Sequence, residues 1–224
     1  MIQGNNDKIF ERFLYNSFEN AKRMEAQSDI LSIFVIDSLR LDNEFTRKGG
    51  HEERLFSFFT EGLVFQEYEN NNRNRHILSK APDQFLVRLN KINHLVKDHI
   101  SGQIQLIQAP INFYIHFPVD YLRSIDPHLY LRVVTVLRPD FFHPNIRIPQ
   151  GWVCLGHNFQ PGTPLADLIY HLYEIITYQN TTVDERDAYN PEACRYLRLH
   201  KKMKISVPPL FRRDLNLDVT VERM

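Results

Sequence analysis

Two side chains of this 224-residue chain can act as thiol nucleophiles, Cys154 and Cys194. A thiolate both attacks acyl carbons and leaves them readily, so either residue offers acyl-transfer chemistry. Cys194 follows Ala193 in an amphipathic pattern, where a cysteine packs as a small hydrophobe. Cys154 lies in residues 138–164, a stretch dense in aromatics and prolines and poor in regular periodicity. Irregular segments carried on a rigid scaffold are where function concentrates. The bland alternative makes Cys154 a buried packing residue as well. His143 and His157 are the nearby titratable rings. His157 would lower the thiol pKa if the loop folded back, but a loop-surface position is its commoner reading. Trp152 is expected to pack its indole beside the loop. No convincing Cys-His-Asn protease signature is present. His94, His99, His116, His128, His171 and His200 lack ligand spacing such as HExxH, so no metal site and no cofactor is expected.

The elements that must position Cys154 are readable from periodicity. Residues 7–27 read as an amphipathic helix, with Phe10, Phe13, Leu14, Phe18 and Ala21 at three- and four-residue spacing. Residues 30–36, 85–89, 111–117 and 131–137 read as strands. In 111–117 the residues Ile111, Phe113, Ile115 and Phe117 alternate with Asn112, Tyr114 and His116, as in a half-buried antiparallel strand. Thr163 is placed to cap a helix that opens at Pro164, and Asn190 to cap one that opens at Pro191. Leu165, Leu168, Ile169, Leu172, Ile175 and Ile176 make an apolar stripe on the first of these helices. Ala193, Tyr196 and Leu197 face inward on the second. Residues 39–82 form an insertion with a short helix expected at 52–65 and a polar loop at 69–75. Segregated strands and helices predict an α+β fold, an antiparallel β-meander sheet with an N-terminal helix and C-terminal helices packed on it. A single domain is expected over residues 1–205, with a tail at 206–224.

Composition narrows the function classes. Hydrophobic residues make up 43% and aromatic residues 12%, enough for a sizeable core. The 27 basic and 27 acidic side chains cancel, which counts against a nucleic-acid or anionic-membrane binder. No apolar run reaches the roughly 18 residues of a membrane helix. The start, MIQGNNDKIFERF, lacks the basic and apolar regions of a signal peptide. Two cysteines cannot make a disulfide framework or a four-thiolate zinc site. A cytoplasmic protein with reduced thiols is expected.

Several motifs, taken in order, resemble those of the ubiquitin-conjugating enzymes. Phe117-Pro118-Val119-Asp120-Tyr121 is similar to the family's FPxDYP. His143-Pro144-Asn145-Ile146 is similar to its HPN motif. Gly151-Trp152-Val153-Cys154-Leu155 is similar to the GxxCL segment around its active cysteine. Thr163-Pro164 stands where the family has the Ser-Pro that opens the next helix, and Asn190-Pro191-Glu192-Ala193 resembles the start of the following one. The resemblance spans about residues 84–200. Three features depart from the family. Asn145 and Cys154 are nine residues apart, one more than usual, which predicts a one-residue bulge in the loop. The double proline after the DYP segment is missing, and Gly162 replaces the Trp before Ser-Pro. These last two segments dock ubiquitin ligases in the family, so their loss counts against a ligase partner. Such divergence is similar to that of stand-alone bacterial members, which implies a setting with an activating enzyme, a ubiquitin-like modifier and a deubiquitinase-like peptidase, associated with antiviral defence.

The resemblance implies that Cys154 takes the modifier's C-terminal glycyl group from the activating enzyme as a thioester and passes it to a lysine of a protein substrate. The incoming thioester is already activated, so no strong base need sit beside the sulfur. Asn145 is implied as an oxyanion donor, worth roughly 3 kcal/mol in other acyl-transfer enzymes, or as a clamp on its own loop. The second share is slightly favoured. His143 and Pro144 are implied as structural parts of the HPN turn. Asp187 precedes Pro191 by the same offset as the family's acidic gate residue, which lines the path of the attacking lysine. Its rival reading, with Asp184 and Glu185, is a solvated loop. Two other functions compete with the carrier enzyme: a catalytically silent binding module of the same fold for ubiquitin-like proteins, and a thiol hydrolase. The joint retention of Cys154, Asn145 and Asp187 counts against the silent module, and the hydrolase needs a positioned base.

Overall fold

A computed structural model describes residues 3–36, 81–123, 133–138, 140–156, 159–201, 203 and 205–212. The first helix, α1, spans Gln3–Ala26, and the strands are β1 Leu31–Val35, β2 Gln84–Lys97, β3 Ile104–His116, β4 Val134–Val136, β5 Ile146–Arg147 and β6 Trp152–Val153. Two further helices follow, α2 over Leu165–Ile176 and α3 over Pro191–Leu199. All strand pairs are antiparallel in one sheet of order β1-β2-β3-β4-β6-β5, so the fold is α+β with its first four strands in a meander. The expected helix at 52–65 and the polar loop at 69–75 lie outside the described residues.

The core forms where α1 and α2 cover one face of the sheet. Leu14 and Ala21 of α1, and the whole expected stripe of α2 from Leu165 to Ile176, are buried with Phe85, Ile111, Phe113 and Ile115 of the strands. Phe117 and Tyr121 sit in the same core with ring centroids 4.7 Å apart. The Tyr121 hydroxyl donates to the Thr163 carbonyl, which fixes where α2 begins. Pro164, rather than Thr163, occupies the N-cap, and the Thr163 hydroxyl turns back to the Gln160 carbonyl. The first free amide of α2, Leu165 N–H, is satisfied instead by the Ser17 hydroxyl of α1. The expected Asn190 cap is present: its side chain accepts from Ala193 N–H, with Pro191 at the first helical position.

Strands β2 and β3 run farther than the alternation at 85–89 and 111–117 alone predicts. Leu89 pairs with Ile111 and Ile92 with Ala109, so Asn90 and Lys91 together face Pro110. A proline has no amide hydrogen to give the ladder, and the bulge opposite it absorbs that loss. Lys91 takes a positive φ of 58° there. Beyond the bulge the hairpin projects as an arm. Its Leu95 packs with Phe142 and with Ala193 of α3 in a second small core.

The compact part does not end at residue 205. Leu210 is buried in the main core and Val207 packs against it. The Pro208 carbonyl accepts from the Tyr173 hydroxyl, and Arg212 N–H donates to the Gln27 carbonyl at the end of α1. Residues 205–212 thus strap α2 to α1. The remainder of the tail, 213–224, lies outside the described residues.

Candidate active site

The β5–β6 hairpin is the frame of the site. Ile146 pairs with Val153 and Arg147 with Trp152. The ladder then continues one step, with Cys154 N–H donating to the Asn145 carbonyl at 2.7 Å. Asn145 and Cys154 are therefore direct cross-strand neighbours, and the expected one-residue bulge is absent. The ninth residue of the spacing is taken up in the turn at 148–151. That turn closes on Gly151, whose φ is +71° and whose carbonyl accepts from Val136 N–H of β4. A Cβ on residue 151 would lie 2.2 Å from the Val136 carbonyl oxygen, so only glycine fits. Side chains alternate along the hairpin. Ile146 and Val153 point into the core, which puts Asn145, Arg147, Trp152 and Cys154 on the opposite face.

The HPN turn is built around a neutral ring. His143 is fully buried, and its Nδ1 accepts from Asn145 N–H at 3.0 Å, so the proton sits on Nε2. Nε2 is turned toward the Ile175 carbonyl without reaching hydrogen-bond geometry. The ring lies against Tyr178, centroids 4.5 Å apart. Burial pushes its pKa down to about 3, so it carries no charge near neutral pH. It orients the turn and is not a working base.

With its amide committed to His143, Asn145 cannot complete the ladder through its backbone. Its side chain does so instead. Nδ2 donates to the Cys154 carbonyl at 3.3 Å, and Oδ1 accepts from Thr182 N–H at 2.9 Å. The residue is 5% exposed. It clamps Cys154 on one side and the loop 177–190 on the other. Two more bonds hold that loop: Asn190 N–H donates to the Pro144 carbonyl at 3.1 Å, and the Cys194 thiol donates to the Thr182 carbonyl at 3.3 Å. Cys194 is buried, and burial raises its thiol pKa, as a packing cysteine requires.

Cys154 itself is half-buried and free. Beyond it, the Leu155 carbonyl accepts from His171 Nε2 at 2.6 Å, and the other ring nitrogen lies 3.7 Å from the Glu174 carboxylate. Two helical residues thus fix the chain just past the sulfur. Trp152 is half-buried beside it, with the Arg147 guanidinium 5.6 Å from the indole centroid. His157 lies outside the described residues.

Asp187 is exposed in the turn at 185–187, where its amide donates to the Asp184 carbonyl at 3.2 Å and its charge acts on Arg186. Its acidic neighbours are already paired, Asp184 with Arg186 and Glu185 with Arg195 and Arg198. Tyr189, two positions on in this loop, meets Cys154 electrostatically. Burial raises the phenol pKa, the Cys154 charge adds to the rise, and Arg147 opposes it.

The structure therefore brings His143, Pro144, Asn145 and Cys154 together, and Asp187 lies exposed in the turn at 185–187. It adds Arg147, His171 and Tyr189, which sequence reasoning passed over. Tyr189 had one signal, an aromatic set in the polar run before the Asn190 cap. Arg147 had another, its alternation with buried Ile146. No group of three or more His, Cys, Asp or Glu side chains among the described residues is arranged to hold a metal. Compared with known proteins, the chain matches no family model and no curated protein.

Proposed function

We propose that the chain is a carrier enzyme of the ubiquitin-conjugating type, which holds a ubiquitin-like modifier as a thioester on Cys154 and passes it to the lysine of a protein substrate. The observation that carries this reading is the direct pairing of Asn145 with Cys154. The cysteine backbone is held at both its N–H and its carbonyl by one residue of the HPN turn, while the residue itself is only half-buried and its thiol is free. A carrier needs this arrangement: a fixed, accessible sulfur that accepts an activated acyl group and later releases it. It does not need a base on the sulfur, and His143, buried and neutral, offers none.

That point also weighs against the thiol hydrolase, because among the described residues no histidine stands as a base at Cys154. His171 is tied to the Leu155 carbonyl through the nitrogen nearer the site. The fold resembles the one the motifs imply in its order of helix, meander, irregular hairpin and two helices. The partners follow from the chemistry: an activating enzyme that delivers the thioester, the modifier, and an acceptor amine.

The test is incubation with ATP, an activating enzyme and a ubiquitin-like modifier, followed by a non-reducing gel. A conjugate that thiols remove supports the carrier. Persistent failure to form one, with the modifier bound non-covalently, supports the silent binding module. ATP-independent cleavage of a modifier ester or amide supports the hydrolase.

A further inference from the structure

In acyl transfer to or from a thiol, negative charge gathers on the acyl oxygen, and catalysis depends on a donor or cation already aimed at it. Asn145 is the residue the motif resemblance offers for that task, yet two scaffold bonds hold its amide, one to the Cys154 carbonyl and one from Thr182 N–H. Arg147 is placed differently. It lies on the same outward face of the hairpin, directly across from Trp152 and diagonal to Cys154. Diagonal neighbours on one face of an antiparallel pair stand about 7–8 Å apart, within the span of a long side chain.

Three further features set Arg147 apart from the other arginines. Its guanidinium lies 5.6 Å from the centroid of the Trp152 ring, on the hairpin face that also carries Cys154. Among the described residues no carboxylate pairs with it, whereas Arg138, Arg186, Arg195, Arg198 and Arg212 each bind an acid. The Tyr189 phenol, on the facing loop, senses the charges of Cys154 and Arg147 together with opposite signs. Among the described residues, Arg147 is thus a cation without an acidic partner on the face that carries the sulfur, stacked on an aromatic ring that takes none of its charge.

We propose that Arg147 is the group that meets the negative charge on the acyl oxygen as Cys154 gains and loses its acyl group. This rests on the carrier reading. In discharge, the lone pair of a neutral amine forms the new bond to the thioester carbonyl carbon. The carbonyl π pair moves onto oxygen, and the guanidinium faces that oxyanion. Collapse restores the carbonyl and breaks the carbon–sulfur bond, and Cys154 leaves as a thiolate. The proton lost from nitrogen passes to water or to that thiolate. Charging runs the same way, with the thiolate as attacking group.

The test uses the full chain and a probe that needs neither modifier nor activating enzyme, the benzyl thioester of acetyl-glycyl-glycine. Mass spectrometry follows acylation of Cys154 and its later discharge to free lysine. Alkylation by iodoacetamide, which attacks the same sulfur without forming an oxyanion, serves as the reference. Arg147→Gln should slow both acylation and discharge about tenfold or more, while alkylation stays within about twofold of wild type. Arg147→Lys, which keeps the charge, should recover most of the loss. Alkylation that falls in parallel with acyl transfer would show that Arg147 only tunes or shapes the thiol, and would overturn the proposal. Equal acyl-transfer rates for wild type and Arg147→Gln would overturn it too, leaving the carrier reading in place. A wild-type Cys154 that takes no acyl group while iodoacetamide still alkylates it would remove the carrier reading itself.

Discussion

Replacing Asn145 with alanine separates a clamp from an oxyanion donor. The side chain gives one hydrogen bond to the Cys154 carbonyl and takes one from Thr182 N–H, and it is 5% exposed. Truncation leaves both backbone partners unmatched under a loop that still covers them. Each such orphan costs about 1–3 kcal/mol, and Thr182 is only half-buried, so a loss of about 2–4 kcal/mol is expected. For a chain of this size that lowers Tm by about 5–15 °C. The assay is thermal and urea unfolding by circular dichroism, run beside single-turnover discharge of the Cys154 thioester to lysine. If Asn145→Ala melts within about 1 °C of wild type and discharge still falls a hundredfold, the clamp reasoning is refuted and the amide belongs to the oxyanion. Asn145→Asp sharpens the result. It keeps an acceptor for Thr182 but sets a carboxylate against the Cys154 carbonyl, and burial raises the folded pKa of that acid. Its penalty relative to wild type is absent below the unfolded value of about 3.9 and grows as pH rises through the window up to the folded pKa.

Four other outcomes are expected. Cys154→Ser should turn the ATP-dependent conjugate from thiol-labile to thiol-stable or abolish it, and Cys194→Ser should leave it intact on a non-reducing gel. Asp187→Ala should leave charging unchanged and slow discharge to lysine several-fold through lost positioning, and equal single-turnover rates would return Asp187 to the solvated loop. His94 and His143, whose pKa values burial lowers to about 4 and about 3, stay neutral in the fold while the unfolded chain protonates near 6.5. Their contribution is therefore complete above about pH 6.5 and falls as pH drops toward 4, by up to about 2–3 kcal/mol per unit for the pair, and a urea midpoint that stays flat from pH 7 to 5 would contradict it. Gly151→Ala should lose several kcal/mol of stability by urea unfolding, about 2–4 from a Cβ forced onto the Val136 carbonyl in a positive-φ turn.

The elements with strong periodicity were the legible ones. In α2 the apolar stripe and the buried face coincide, because a helix on a sheet has only one way to bury six large side chains, and in α1 Leu14 and Ala21 are buried with Phe10, Phe13 and Phe18 packed partly buried beside them. The arm of β2 and β3 was not legible. Its outer half in β3, Ile104-Gln105-Leu106-Ile107-Gln108-Ala109, does not alternate strictly and is largely exposed, and the bulge at Asn90–Lys91 breaks the register on which a period of two depends. The strap at 205–212 was missed for a related reason. Pro208 and Pro209 read as an end of structure, yet a segment without regular hydrogen bonds still packs when Leu210 finds the core and its backbone finds Tyr173 and Gln27.

At the site, sequence order marked the cysteine and its turn, and what it could not supply was the division of labour among polar atoms. Whether an asparagine donates to a substrate or to a neighbouring carbonyl depends on which backbone groups are already spoken for. Here His143 takes the Asn145 amide, so the side chain inherits the ladder bond to Cys154. The nine-residue spacing follows the same logic. A residue inserted within the paired strands would slip the register and turn Asn145 or Cys154 to the opposite face. Inserted in the turn at 148–151, it changes nothing in the ladder: Ile146 still faces Val153, Arg147 still faces Trp152, and Asn145 still faces Cys154. Only glycine lets the longer turn close against β4, which makes Gly151 the condition on which the pairing of Asn145 with Cys154 depends. Spacing thus constrains a two-strand site through its turn, and a motif stretched there keeps its geometry.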